Sequence, residues 1–289
     1  NGKTIDWYVT PNVPAQYLPD LKTAIESWNR YTEKSIGRSV VQFKGLLPPG
    51  IKVGDPRYNV VNWDSVAKAG AAYASSASDP TTGVISHSLI YMPYAWINIA
   101  KDYWSKGKFT EKSEKAADRM KKQLSASRYL GRKLNVSCVM DATKNLSLSS
   151  RKDPEVFARE LLKAVMMHEV GHALGLDHNF KGSLVYDPAQ SNSAFSTSIM
   201  DYNQYNIENA FDSVDSAAGP LLEYDRQIMS VLYNGAKDIA SGDVVLGACE
   251  DVEADSEEGG VDPLCTRYDA GSDPTLYLQG IRNLFQNES

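Results

Sequence analysis

The sequence is poor in cysteine and histidine, and it lacks any long apolar run. Its 289 residues include three cysteines and four histidines. Because no stretch of about 18 consecutive apolar residues occurs, no transmembrane helix is predicted. There is also no internal repeat and no clear linker. The chain is long enough to bury a substantial core, as one large domain or two modest ones.

Basic charge is in short supply as well. Lys and Arg number 30 against 36 Asp and Glu, which gives a formal net charge of −6. Because an acidic chain is a poor ligand for nucleic acid, no nucleic-acid partner is expected. The basic residues concentrate between positions 101 and 133. That stretch could be a docking face, although a solvated helix is the simpler interpretation.

The three cysteines allow at most one disulfide within the chain. Cys249 and Cys265 bracket an acidic, glycine-containing loop and could close it, whereas Cys138 lies in an apolar run that favours a buried free thiol. A bond between Cys249 and Cys265 would indicate an oxidising compartment. The first residues do not have the composition of a signal peptide, so they leave the compartment open.

The secondary-structure pattern changes along the chain from strands to helices. Runs of β-branched and aromatic residues predict strands at 4–9, 40–43, 58–63 and 84–91, with a further extended piece at 134–140, whereas 69–78 is typical of a loop or a loosely paired strand. Helical patterns are present after residue 19, over most of 95–130, from Asp153-Pro154 to Gly175, and at 220–233 and 274–285. This order predicts an α+β fold with a cleft between its two parts.

Three of the four histidines fall within one short segment, His168-Glu169-Val-Gly-His172-Ala-Leu-Gly175-Leu-Asp-His178. His168 and His172 are four residues apart, so on a helix both imidazoles can reach one cation. Glu169 lies where its carboxylate would contact a metal-bound water rather than the metal. Gly175 lets the chain leave the helix in a left-handed turn, so that His178 can return as a third ligand. Three protein ligands and one water form the open site that zinc catalysis requires.

The residues around this motif argue against ordinary core or surface histidines. The helix is apolar enough to be buried, and burying two histidines and a glutamate is costly unless a metal or other partners satisfy them. His87, on the strand predicted at 84–91, is interpreted as a surface or subsite residue rather than a ligand. The apolar positions of the helix are Leu161, Leu162, Val165, Met166, Ala173 and Leu174.

Downstream of the motif, Ser198-Ile199-Met200-Asp201-Tyr202 completes a resemblance to the metzincin clan of metalloproteases. The resemblance implies a mixed twisted sheet plus helices in an N-terminal subdomain (1–178) and a mainly helical C-terminal subdomain (179–289). It also implies that Met200 forms an apolar floor beneath the metal and that Tyr202 approaches the zinc or the oxyanion. The strand at 84–91 would be the edge strand with which a peptide substrate pairs.

Other segments resemble a family of large bacterial zinc-dependent metalloproteases. They are Asp55-Pro56-Arg57, the turn at 79–83, and the run from Glu169 to Lys181, which contains VGHALGLDHNF. The resemblance implies a secreted or periplasmic endopeptidase that uses one catalytic Zn²⁺ and acts on a protein or peptide. The acidic loop between Cys249 and Cys265 matches nothing in that family.

The expected activity is therefore hydrolysis of peptide bonds by zinc-activated water, with Glu169 as general base and Tyr202 stabilising the oxyanion. Two alternatives stay open: a catalytically silent zinc-containing binding protein, against which the intact Glu169 argues, and a zinc hydrolase of a non-peptide bond. The acidic residues at 251–257 partly resemble a Ca²⁺ loop. Ser256 stands where that loop needs glycine, so a solvated acidic loop is favoured over a Ca²⁺ site.

Overall fold

A computed structural model gives the fold of the chain. It describes residues 4–66, 72–106, 128–129, 132–133, 153–185, 196–202, 222–234, 249–254, 262 and 264–265. The extended piece expected at 134–140 with Cys138, the helix expected at 274–285 and most of the basic stretch lie outside these residues.

A mixed five-stranded sheet forms one layer of the fold. Its strands are β1 (Ile5–Val9), β2 (Val41–Leu46), β3 (Asn59–Asp64), β4 (Tyr73–Ser78) and β5 (Ile85–Pro93), in the spatial order β2-β1-β3-β5-β4. The first three pairings are parallel, and β4 runs antiparallel to β5 with Ser76 opposite Ser88. All four strands predicted from β-branched and aromatic runs are present, and the loosely paired alternative for 69–78 is realised as β4.

The prediction that 84–91 forms the edge strand is wrong. β5 pairs with β3 on one side and with β4 on the other, so β4 is the outer strand of the described sheet. Side chains along β5 alternate between buried and more exposed. That alternation shows only that one sheet face is covered, and it cannot distinguish an inner strand from an outer one.

Helices cover one side of the sheet. α1 (Leu18–Glu26) and α3 (Ala95–Lys106) both pack on a central helix, α4 (Pro154–Ala173), which also contacts β4 and β5. Leu21, Ile25 and Trp28, which lie at helical spacing in the sequence, are completely buried. α2 (Asn29–Ile36) packs on α5 (Glu223–Asn234), the helix predicted at 220–233. The described residues therefore have the predicted α+β architecture, a mixed sheet with helices packed on it.

The central helix begins and ends as its sequence predicts. The side chain of Asp153 accepts a hydrogen bond from the backbone N–H of Glu155 at 2.7 Å, and Pro154 occupies the first helical position. All the apolar residues expected to face the core are buried. Gly175 follows the helix with φ of 100°, a left-handed conformation that glycine adopts without strain. The direction in which the chain leaves α4 is therefore set by this glycine.

Three further elements are short, a pair of two-residue strands and a one-turn helix. The helix expected through residue 130 does not extend that far, because β6 (Arg128–Tyr129) pairs antiparallel with β7 (Arg132–Lys133). Gly131, between these two strands in the sequence, disfavours a continued helix. The last described helix, α6 (Asp251–Ala254), is a single turn within the disulfide-closed segment. In the part of the chain that the structure describes, no helix is long and apolar enough to cross a membrane.

Candidate metal centre

The C-terminal end of α4 and the turn after it bring three imidazoles together. His168 and His172 lie on successive turns of α4, with their Nε2 atoms 3.1 Å apart. The chain turns back at Gly175, and the N–H of Leu176 donates to the carbonyl of Gly171 at 3.1 Å. This return brings Nε2 of His178 to within 3.1 Å of Nε2 of His172.

The outer nitrogens of the two helix histidines determine where their protons lie. Nδ1 of His168 is 2.7 Å from the carbonyl oxygen of Ile199, and Nδ1 of His172 is 2.8 Å from that of Leu176. A carbonyl oxygen only accepts, so Nδ1 carries the proton and the neutral ring presents a lone pair at Nε2. Burial and the neighbouring histidines lower the pKa of His168 well below its ordinary value and that of His172 to about 3. Both rings are therefore neutral at pH 7.

The third histidine contacts a carboxylate instead. Nδ1 of His178 lies 2.5 Å from Oδ2 of Asp251, and both residues are buried. An ionised carboxylate only accepts, so Nδ1 carries a proton and Nε2 is the nitrogen that faces the other histidines. The prediction of a solvated acidic loop is wrong for Asp251. The crosslink between Cys249 and Cys265 and the docking of this segment on the site remove its carboxylate from water.

The arrangement fits a metal ion. Nε2 of His172 lies 3.1 Å from Nε2 of His168 and 3.1 Å from Nε2 of His178. Where these nitrogens direct lone pairs at one another, the lone pairs repel unless a cation lies among them. Two nitrogens bound tetrahedrally to zinc at about 2.0–2.1 Å would lie roughly 3.3 Å apart, close to the separation here. Within the described ranges, His168, His172 and His178 are the one group of three or more potential metal ligands close enough to share an ion.

Glu169 lies between the two helix ligands and is completely buried. Burying a carboxylate at this depth is costly unless nearby charge or hydrogen bonding compensates. A cation at the adjacent histidines would supply such compensation. The position is the one the sequence motif predicts for a general base, and that role stays a prediction.

Met200 packs directly under the ligand-bearing turn of α4. Its side chain is fully buried, and a Cβ added to Gly171 would meet its Sδ at 2.4 Å. The backbone carbonyl of Met200 accepts a hydrogen bond from the N–H of Asn179 at 3.1 Å, next to the third histidine. We call residues 198–200 the Met-turn. It contacts both the helix and the return segment that carry the three histidines, and its expected role as a floor beneath the metal stays a prediction.

A residue that the sequence did not suggest holds the Met-turn in place. Asp225, on α5, accepts hydrogen bonds from the Ser198 hydroxyl at 2.6 Å and the Ile199 N–H at 2.8 Å. Complete burial raises the pKa of Asp225 to about 7, while these two hydrogen bonds act in the opposite direction. The carbonyl of the same Ile199 is the acceptor for His168. An aspartate in an amphipathic helix carries no sequence signal of such a contact.

Of the two remaining candidate residues, Tyr202 lies at the site and His87 does not. The ring of Tyr202 lies beside the histidines, 4.5 Å from His178 and 5.8 Å from His168 between centroids, and it is partly exposed. Its expected contact with a substrate oxyanion stays a prediction. His87 is half-buried on β5, with Nδ1 3.5 Å from the hydroxyl of Ser86, and it is not among the converging imidazoles.

The part of the chain that carries the three histidines is similar to a known protein family. Residues 150–244 match a family model described as Met-zincin. This part of the chain is therefore similar to the Met-zincin family. The Met-zincin match covers about a third of the chain and contains α4, all three clustered histidines and the Met-turn. No curated protein and no solved structure matches the chain. The narrower resemblance to one bacterial protease family stays a prediction.

Proposed function

We propose that this protein is a zinc-dependent endopeptidase. One observation carries the proposal: three imidazoles with outward-facing Nδ1 protons converge their Nε2 lone pairs beside a buried glutamate. Three imidazoles suit zinc, and they leave a further position open for water or substrate. The Met-zincin match over this segment supports protease chemistry in particular.

The chain's own residues then have distinct tasks. Bound zinc would lower the pKa of a water and polarise the substrate carbonyl. Glu169 accepts the proton of the attacking water and passes it to the departing amine. The Tyr202 hydroxyl, beside His178, donates to the carbonyl oxygen as negative charge develops there. Hydrogen bonds from the other side of each imidazole keep the ligands in one tautomer and one orientation.

We propose that an extended peptide substrate pairs with β4. This strand is the outer one of the described sheet. Its Ser76 lies opposite Ser88, whose hydroxyl donates to the carbonyl of Ala173, next to His172, at 3.4 Å, so a peptide along β4 would run close to the metal centre. The exposed serine and alanine side chains of Tyr73–Ser78 are small and leave room for those of the substrate. The Cys249–Cys265 disulfide supports a location outside the cytoplasm, in the cell envelope or secreted.

The test separates metal binding from chemistry. Glu169→Gln preserves shape and removes the base, so we expect about one zinc per chain and a loss of peptide cleavage of at least ~100-fold. The matched control is Glu155→Gln, in the first turn of the same helix, which should retain both properties. Zinc is measured by elemental analysis and cleavage with a peptide library, with and without a chelator.

The outcomes distinguish the competing functions. Equal cleavage by Glu169→Gln and the parent would refute the mechanism. A parent protein that holds zinc but cleaves no peptide would favour a silent binding protein. A hydrolase of another bond would instead require a chelator-sensitive activity on non-peptide esters or amides.

A further inference from the structure

We propose that Asp251 is a positioning residue for the metal ligand His178, and that the Cys249–Cys265 disulfide holds Asp251 in that position. This inference rests on the metal centre of the proposed function. It assigns a role to the acidic segment, which the family resemblance leaves unexplained. It also makes retention of the metal dependent on the redox state of one disulfide.

The need for a positioning residue arises from where His178 lies. His168 and His172 belong to α4, so the helix itself directs both side chains. His178 follows the left-handed turn at Gly175, in a segment outside any helix or strand. The backbone there does not determine the ring orientation, and a partner at Nδ1 must do so. Asp251 supplies that partner at 2.5 Å.

Charge adds to orientation. A carboxylate behind a ligating imidazole fixes the proton on Nδ1 and makes Nε2 a stronger donor to the metal. His168 and His172 use neutral backbone carbonyls for the same purpose. Among the three ligands, His178 is thus the one with an anionic partner, and both members of that pair are shielded from water. The affinity of His178 for a cation should therefore depend on its partner more strongly than the affinities of His168 and His172 depend on theirs.

Several independent contacts dock the disulfide-closed segment on the chain beside His178. The N–H of Phe180 donates to the carbonyl of Cys249 at 2.9 Å, two residues from each member of the His178–Asp251 pair. Lys181 forms an ion pair with Asp262 at 2.6 Å. Phe180 also packs with Cys249 and Cys265 in a small buried cluster. The crosslink therefore lies at the point of attachment, with Asp251 immediately beyond it.

The experiment measures metal affinity rather than activity alone. Zinc dissociation constants are determined by competition with a chromophoric chelator for the parent, Asp251→Asn, Asp251→Ala and Glu253→Gln. We expect roughly 10- to 100-fold weaker binding for Asp251→Ala. The loss should be smaller for Asp251→Asn, whose amide oxygen still accepts but carries no charge. Glu253→Gln alters an exposed acid on the same turn and should bind as the parent does.

A spectroscopic measurement separates positioning from general structural damage. Co²⁺ replaces Zn²⁺, and its visible absorption reports the ligand geometry directly. The Asp251 variants should change that spectrum while the metal-free proteins keep parental circular dichroism. Parental affinity and a parental Co²⁺ spectrum in Asp251→Ala would overturn the positioning role.

The disulfide requires its own comparison. Cys249→Ser combined with Cys265→Ser, or treatment of the parent with a phosphine reductant, should weaken zinc binding several-fold. The variant that combines all three substitutions should bind zinc no more weakly than Asp251→Ala alone, because both changes act through one contact. Fully additive losses would overturn this link. A parent that binds no zinc would overturn the proposed function as well, whereas a zinc-binding parent with unaffected variants overturns this inference only.

Discussion

Replacing Gly171 by alanine tests the packing beneath the metal centre most directly. The added Cβ would lie 2.4 Å from Sδ of Met200 and 2.9 Å from Cζ2 of Trp28. Ordinary contact begins at ~3.5 Å, so the sulfur would have to move by about 1 Å in a fully buried site. Trp28 cannot easily yield instead, because its indole N–H is bonded to the carbonyl of Met167 at 2.9 Å.

The magnitude follows from two opposing terms. Alanine is better than glycine in a helix by up to ~1 kcal/mol, whereas overpacking a buried site costs ~1–3 kcal/mol. With two contacts below 3.0 Å the upper part of that range applies, which leaves a net destabilisation of about 1–2 kcal/mol. A shifted Met200 also displaces Ile199, the partner of His168. We therefore expect roughly 10-fold weaker zinc binding.

Urea unfolding of the metal-free protein measures the first effect, and zinc titration measures the second. Met200→Ala provides the control, since it removes the nearest obstructing atoms. In that background Gly171→Ala should cost about 1 kcal/mol less than in the parent. If Gly171→Ala is as stable as the parent and binds zinc equally well, the packing of Met200 under α4 is not as described.

Three further predictions concern the turn, the buried acid and the ligands. Gly175→Ala should destabilise the protein by ~1–2 kcal/mol because of the φ of 100°, and not through a clash, since the nearest atom to the new Cβ is 3.7 Å away. Urea unfolding measures this loss, and an unchanged midpoint would contradict it. The pKa of Asp225 is raised to about 7 in the folded protein, compared with ~3.9 in the unfolded chain. Its contribution to the free energy of unfolding is therefore fully present below pH ~3.9 and is lost as the pH rises through 7. The measured quantity is the free energy of unfolding of the parent minus that of Asp225→Asn, both in the presence of a chelator. This difference should fall by up to ~1.4 kcal/mol per pH unit from pH 5 to 7, and a difference that does not change with pH would refute the raised pKa of Asp225. His172→Ala should abolish stoichiometric zinc in elemental analysis while His87→Ala retains it, because only the former removes a converging Nε2.

The sequence predicted the features that depend on neighbouring residues alone, namely the ends of α4 and the shared face of its two histidines. Asp153 and Pro154 mark the helix start because capping and the missing proline N–H act within one turn. Gly175 marks its end because few other residues adopt a left-handed conformation. The four-residue spacing of His168 and His172 places both on one helix face whatever the surrounding fold.

Long-range pairing lay beyond such patterns. The alternation of β5 is the same for an inner or an outer strand, so the sequence could not identify β4 as the edge. The acidity of the segment at 251–257 suggested exposure, whereas a crosslink and a docked backbone place Asp251 against a histidine 73 residues earlier. Asp225 likewise reaches the Met-turn only through tertiary packing. Nothing in their neighbouring residues distinguishes these two acids from solvated ones.

The three acceptors behind the ligands explain why the motif alone does not make the site. His172 uses Leu176, four residues away, so its tautomer is determined as soon as the end of α4 forms. His168 needs Ile199, which arrives with the Met-turn and is itself held by Asp225. His178 needs Asp251, the most distant partner. Each successive ligand therefore depends on a more remote part of the chain. An isolated peptide containing the motif would present one oriented imidazole, and only the complete fold orients all three.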